Sequence, residues 1–129
     1  MISVDTNVII RLLTGDEQEQ FQRAKSLFAN ENILIATTVI LECEWVLRYA
    51  YHFSPDEIVN GFQALFGLSN VKLQEASGIY TAIHWHKQGM DFADAIHLAT
   101  SQGSESFATF DKKFIKSALE ITDLLVNEP

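Results

Sequence analysis

The sequence predicts a single α/β domain, a three-layer α/β/α arrangement around a mainly parallel sheet of four or five strands. Three observations predict it. Short apolar runs alternate with longer amphipathic segments along the whole chain, the pattern of strands joined by helical crossovers. The helical segments outnumber the strands, so some crossovers must carry a helical hairpin. Finally, 129 residues with a hydrophobic fraction of 47% suffice for one core but leave two cores marginal, so residues 1–129 are read as one domain.

The elements follow in order. Met1 to Val4 is short and apolar and stops at Asp5, which suggests a strand. Thr6 to Leu13 places Val8, Ile9, Leu12 and Leu13 at helical spacing, and Gly15 ends it. Asp16 to Ala29 repeats that pattern through Phe21, Ala24, Leu27 and Phe28. Ile33 to Ala36 is a second strand. A helix then starts at Thr37 or Thr38, either of which is a capping residue type, and carries Val39, Cys43, Val46, Leu47 and Ala50. Ser54-Pro55-Asp56-Glu57 opens the next helix, with proline in its first turn, and this helix runs to Phe66. Asn70 to Leu73 reads as a third strand. Ser77 to Gln88 is helical and closes at Gly89. Asp91 to Ser101 is an alanine-rich helix ended by Gly103. Ser106 to Thr109 is a strand, Asp111 to Ala118 a helix, and Ile121 to Val126 supplies a final strand.

Composition narrows the function. Cys43 is the single cysteine, which excludes an internal disulfide framework and any zinc site built on several thiolates. No apolar run approaches the ~18 residues of a membrane span, and the N-terminus lacks the features of an export signal. The expectation is a soluble cytoplasmic protein. Nine basic residues against 17 acidic ones give a net charge of −8. Such a protein repels polyanions at long range, so binding nucleic acid requires local neutralisation, which a divalent cation provides.

Most acidic residues fall at caps, first turns or the tail. Five need further explanation. Asp5 follows the first strand, at the sheet edge where α/β folds place ligands, but it also suits an N-cap. Glu42 lies about one helical turn beyond the second strand, three residues from Val39 and four from Val46. That spacing sets it on or beside the buried stripe. Asp91 and Asp94 share one side of their helix. Asp91 reads as its N-cap, whereas Asp94, four residues before Leu98, points toward the packed side. Asp111 follows the fourth strand and either caps the next helix or faces the same edge.

Asp5, Glu42 and Asp111 thus lie just past three different strands, and strands of a parallel sheet present those ends on one edge. Asp94 joins them from its own helix. Four ionised carboxylates crowded together raise one another's pKa values, a conflict that a divalent metal removes. All-oxygen ligands select Mg²⁺ or Mn²⁺, with one or two direct carboxylates and the other acids holding waters. Phosphodiester hydrolysis is the chemistry such a site suits.

At these residues the sequence resembles the PIN-domain nucleases, and most closely the VapC-type toxins of toxin–antitoxin pairs. Val4-Asp5-Thr6-Asn7 is similar to their N-terminal strand-end motif, and Glu42 matches the acidic position after the second strand. Asp91-Phe92-Ala93-Asp94-Ala95 resembles their Asp-x-x-Asp-Ala segment, and Thr109-Phe110-Asp111 their closing Thr-x-Asp. The resemblance runs from end to end. It implies a Mg²⁺- or Mn²⁺-dependent endoribonuclease with catalytic residues Asp5, Glu42, Asp94 and Asp111. Asp5 and Asp94 would be the metal ligands, and Thr6, Asn7 and Thr109 would orient carboxylates. Products with 5′-phosphate and 3′-hydroxyl ends follow from the same likeness. It also implies a homodimer and a small antitoxin protein as partner. A catalytically silent binding module on the same fold is the alternative. An aspartyl-phosphate phosphatase is disfavoured, because Asn7 stands where such enzymes carry a second aspartate.

Other residues carry weaker signals. Arg11, Arg48, Lys112, Lys113 and Lys116 are candidate phosphate contacts or simply solvated. His84 and His86 point to different helix sides, which disfavours joint metal ligation; both read as surface residues, with Trp85 half-buried between them. His97, three residues after Asp94, is a further candidate for the site. Cys43 reads as a small buried apolar residue. Trp45, Tyr49, Tyr51, Phe53, Phe62 and Phe66 read first as core, with a partner surface as the sharper alternative.

Overall fold

The computed structural model describes all 129 residues, Met1–Pro129. Twelve elements follow one another: β1 (Ile2–Ser3), α1 (Thr6–Thr14), α2 (Gln18–Asn30), β2 (Ile33–Ile35), α3 (Thr37–Tyr49), α4 (Pro55–Phe66), β3 (Val71–Leu73), α5 (Ala76–Lys87), α6 (Phe92–Ala99), β4 (Ser106–Ala108), α7 (Lys112–Leu119) and β5 (Leu125–Asn127). Every pairing between the strands is parallel, as the α/β class requires. The chain divides into two compact units, Met1–Ala76 and Ser77–Pro129. The strands divide with it, into a three-stranded sheet of order β1-β2-β3 and a two-stranded sheet of β4 and β5.

In the first unit, each sheet neighbour is also the next strand in sequence, and each connection is a helical pair. Ile2 lies opposite Ile33, and Ile33 opposite Val71. Ile33 and Ile35 are fully buried, so β2 reads as the central strand it is. The sequence accounts for most of the helix ends. Gly15 adopts the left-handed conformation, φ 62°, and its N–H caps α1 by bonding the Arg11 carbonyl. Ser54 and Glu57 form a reciprocal capping box at the start of α4, with Pro55 in the first turn.

The start of α3 departs from expectation. Neither Thr37 nor Thr38 caps it: the N-cap is Ala36, in extended conformation, and it makes no side-chain bond. The Thr37 N–H is satisfied from a distance, by Gln74 Oε1 at 3.2 Å just beyond β3. A residue far along the chain has replaced the local cap. The buried face of α3 also differs from the expected stripe. It comprises Ile40, Cys43, Glu44 and Leu47, spaced three, four and seven apart, while Val39 and Val46 lie half-exposed beside it.

In the second unit, β4 and β5 pair in register, Ser106 with Leu125 and Phe107 with Val126. The Phe107 ring stacks on Phe114 of α7, with centroids 5.2 Å apart. Gly89 ends the α5 turn at φ 109°, a conformation that side chains disfavour. No helix is long and apolar enough to cross a membrane.

Candidate active site

β1 and β2 are adjacent and parallel, so α1 and α3 both begin at one edge of their sheet. That edge carries Asp5 and Glu42. Asp5 is the N-cap of α1, its Oδ1 accepting the Thr6 N–H at 2.8 Å. Glu42 sits in the second turn of α3 and is exposed, not buried in the stripe. Thr6 joins the two. Its side chain, only 7% exposed, donates a hydroxyl hydrogen bond to Glu42 Oε1 while its backbone serves Asp5. Beneath them lies Cys43, fully buried, as its apolar reading requires. Burial pushes the Cys43 thiol up to about 12, with the charges of Glu42 and Asp5 adding to the shift. The thiol is therefore inert at neutral pH, and its shift registers the negative potential of the pair.

The second unit holds the other acids. Asp91 is the N-cap of α6, its Oδ2 accepting the Asp94 N–H at 3.1 Å. Asp111 is the N-cap of α7, with Oδ1 accepting from Lys113 and Phe114 at 3.0 and 3.1 Å. The Thr109 hydroxyl in turn accepts the Asp111 N–H at 3.1 Å. Asp94 is half-buried, and its carboxyl is held above the usual aspartate value. Desolvation is the main cause, followed by repulsion from Asp91 and Asp111, with His97 and Lys113 opposing. Proximity of His97 to Asp94 thus emerges as a charge effect, although His97 itself is exposed.

Capping and ligation do not compete here. Asp5 and Asp111 each make their capping bonds through Oδ1 alone, and Asp91 makes its bond through Oδ2. The other oxygen of each carboxylate remains for a cation. Donor chemistry fits a hard divalent ion, since the side chains are carboxylates only. No three His, Cys, Asp or Glu side chains stand together as a direct ligand set.

A family comparison covers all of these residues: the model for the PIN domain matches residues 2–119. The chain belongs to the PIN domain family. No curated protein matches it significantly. Seven helices and five parallel strands are consistent with the three-layer α/β/α PIN fold. PIN domains are nuclease folds that generally depend on divalent metals.

In this PIN domain several other candidates take structural roles. Arg48 is engaged by Glu44, a buried residue the sequence reading missed, at 2.7 Å from Nε to Oε2. An acid four residues before an arginine was the available signal. Arg11 bonds Gln20 Oε1 at 2.7 Å, the Tyr51 hydroxyl at 3.1 Å and Asp16 at 3.3 Å. Tyr51, expected in the core, instead donates its hydroxyl to Asp16 at 2.6 Å. Lys112, Lys113 and Lys116 are exposed. Trp85 is buried and not half-buried, while His84 is exposed and His86 bonds the Met90 carbonyl at 2.7 Å. Phe62 and Phe66 stack in the core as expected, 5.4 Å apart. Trp45 and Tyr49 do not join them: they are 55% and 57% exposed, because they face away from the Ile40–Leu47 stripe.

Proposed function

We propose that this PIN domain is a divalent-metal-dependent endoribonuclease, the toxin of a type II toxin–antitoxin pair. The observation that carries the reading is the family match, which runs through residues 2–119 and so includes Asp5, Glu42, Asp94 and Asp111. On this reading the chain acts as one domain and all four acids serve one catalytic centre. Asp5 and Asp94 bind the cation directly. Glu42, oriented by Thr6, holds water, and Asp111 completes the negative pocket. These residues would hold Mg²⁺ or Mn²⁺, which would supply Lewis-acid chemistry toward a phosphate and a water. The residues themselves supply orientation: two carboxylates are fixed by helix-capping bonds and one by the Thr6 hydroxyl. Contacts with RNA fall mainly on backbone phosphates, with selection among unpaired bases. A small antitoxin and a second copy of the chain are the proposed protein partners.

One observation favours a second reading, a silent binding module. Asp5, Asp91 and Asp111 all have capping roles that justify an acid without catalysis. Incubation of the full chain with single-stranded RNA and Mn²⁺ separates the two. The nuclease reading expects internal cleavage that is lost with EDTA and in Asp5→Asn and Asp94→Asn. Wild-type protein that leaves RNA intact, or variants that cut normally, would favour the silent module. Induced expression tests the toxin role, with arrested growth expected for wild type and normal growth for Asp5→Asn.

A further inference from the structure

Beside the Asp5–Glu42 pair, α1 and α3 border a groove of about 400 Å³. Asp5 and Glu42 line it together with three apolar residues, Ile10, Val46 and Ala50, and with Arg11 and Tyr51. We propose that this groove is a subsite for one nucleoside of the substrate, adjoining the phosphate that is cut. The inference rests on the ribonuclease reading and adds to it the contact that holds substrate beyond the metal.

The lining offers what a nucleotide presents. The acid pair, through a cation, takes phosphate. Val46 and Ala50 offer an apolar surface for sugar and base, while Ile10 is nearly buried. Tyr51 supplies a ring for stacking. The volume lies near the small end of the range for ligand pockets, ~300–1,000 Å³, which suits a single nucleoside.

The Tyr51 ring is held in place before any ligand arrives. Its hydroxyl donates to Asp16 Oδ2 at 2.6 Å and accepts from Arg11 Nη1 at 3.1 Å. Gln20 Oε1 fixes the Arg11 Nε at 2.7 Å, and the Thr14 hydroxyl donates to Asp16 Oδ1 at 2.9 Å. A ring pinned in this way loses little rotamer freedom on binding. Stacking of a base on an aromatic side chain is worth roughly tenfold or more in affinity. Arg11 commits Nε and Nη1 to this network, and Asn7 also lines the groove.

The test uses the full chain, Mg²⁺ and the four ribonucleoside 5′-monophosphates as probes, followed by methyl NMR of Ile10, Val46 and Ala50. At least one monophosphate is expected to shift these methyls in wild type. Ala50→Trp fills the groove from an exposed position and Tyr51→Ala removes the ring. Each should weaken that monophosphate at least tenfold while Mn²⁺ affinity stays within twofold. With RNA the same variants should raise KM about tenfold, change kcat less, and flatten base preference at one position next to the cut. Tyr51→Phe, which keeps the ring, should lose less than Tyr51→Ala. The proposal is overturned if no monophosphate shifts the methyls, or if both variants keep wild-type KM and base preference. It is also overturned if Ala50→Trp converts a dimer to monomers with KM unchanged, since the groove is then a contact between copies. Failure of the ribonuclease reading shows separately, as wild-type protein that cuts no RNA. The groove is then judged by the monophosphate shifts alone.

Discussion

Thr6 donates its hydroxyl hydrogen to Glu42 Oε1, so a residue at the start of α1 sets the direction of a carboxylate on α3. The same residue gives its N–H to Asp5 Oδ1 at 2.8 Å. Replacing the hydroxyl by a methyl group in Thr6→Val keeps the shape of a side chain that is 7% exposed. Packing survives, but Glu42 loses its guide. Groups that orient metal ligands typically contribute ~10–100-fold to metal affinity or activity. Thr6→Val is therefore expected to weaken Mn²⁺ binding by about that factor, and Thr6→Ser to recover most of it. Titration calorimetry alongside a thermal melt checks this. Equal Mn²⁺ affinity in wild type and Thr6→Val would show that the hydroxyl guides nothing.

Asp5 and Asp111 each combine a capping role with a proposed catalytic one, and asparagine separates the two. Asn caps a helix about as well as Asp, so the bonds to Thr6, and to Lys113 and Phe114, persist after substitution. What disappears is the negative charge. Asp5→Asn and Asp111→Asn should melt within a few degrees of wild type. RNA cleavage should fall by at least ~100-fold for Asp5→Asn. A large loss of stability with little loss of cleavage would reverse the assignment and leave both acids as caps only.

Local features of this fold were legible in the sequence, and distant ones were not. The α4 start is written in four consecutive residues, Ser54 to Glu57, and the structure forms the capping box they encode. Asp91 likewise caps α6 from the adjoining position. The strand–helix alternation gave the α/β class because periodicity is a local property. By contrast, the Thr37 N–H finds Gln74, and Tyr51 finds Asp16, across chain separations that no spacing rule reaches. On α3 the expected stripe ran through Val39, Cys43, Val46, Leu47 and Ala50. Val39 and Val46 set Glu42 on or beside that stripe, yet the face that packs is Ile40, Cys43, Glu44 and Leu47, and Glu42 is exposed. The choice between them depends on what α1 and α4 present to α3. Of the candidate site, Asp5, Glu42 and Asp111 were picked out by their positions after strands and Asp94 by its place on its helix. Thr6 was expected to orient carboxylates on the family resemblance alone, and nothing in the spacing named Glu42 as its partner.

Asp94 gives the apo protein a pH dependence of definite sign. Desolvation, then Asp91 and Asp111, raise its carboxyl above the ordinary 3.8. The folded state thus holds this proton more tightly than the unfolded chain. Its favourable contribution is complete below the ordinary value and is lost as pH rises through the raised one. Ionised Asp94 then opposes folding. In chelator, wild type should lose stability relative to Asp94→Asn as pH rises from about 3.8 toward neutrality. Saturating Mn²⁺ should reverse the order near neutral pH, since a ligand at ~100 times its Kd stabilises by about 2.7 kcal/mol. Melting temperatures of both proteins, with and without Mn²⁺, test it. A difference that does not vary with pH would remove Asp94 from the charged cluster.

Glu44 and Arg48 make a different kind of demand on α3. The Glu44 side chain is 3% exposed and that of Arg48 36%, and they are joined at 2.7 Å and again at 3.3 Å. Arg48 also lies over the Tyr49 ring, 4.5 Å from its centre. Removing only the arginine leaves a carboxylate enclosed without its partner, the costly half of breaking an ion pair. A fully buried pair loses ~3–5 kcal/mol in this way, and the partial exposure of Arg48 reduces the figure to about 2 kcal/mol. Arg48→Met should therefore destabilise the protein by about that amount in urea melts. The double change Glu44→Met with Arg48→Met removes both charges and should return to within about 1 kcal/mol of wild type, because apolar replacement of a buried pair is often near neutral. If the single variant is as stable as wild type, Glu44 is reaching water by another route. If the double variant is the weaker of the two, the pair contributes packing that methionine cannot match.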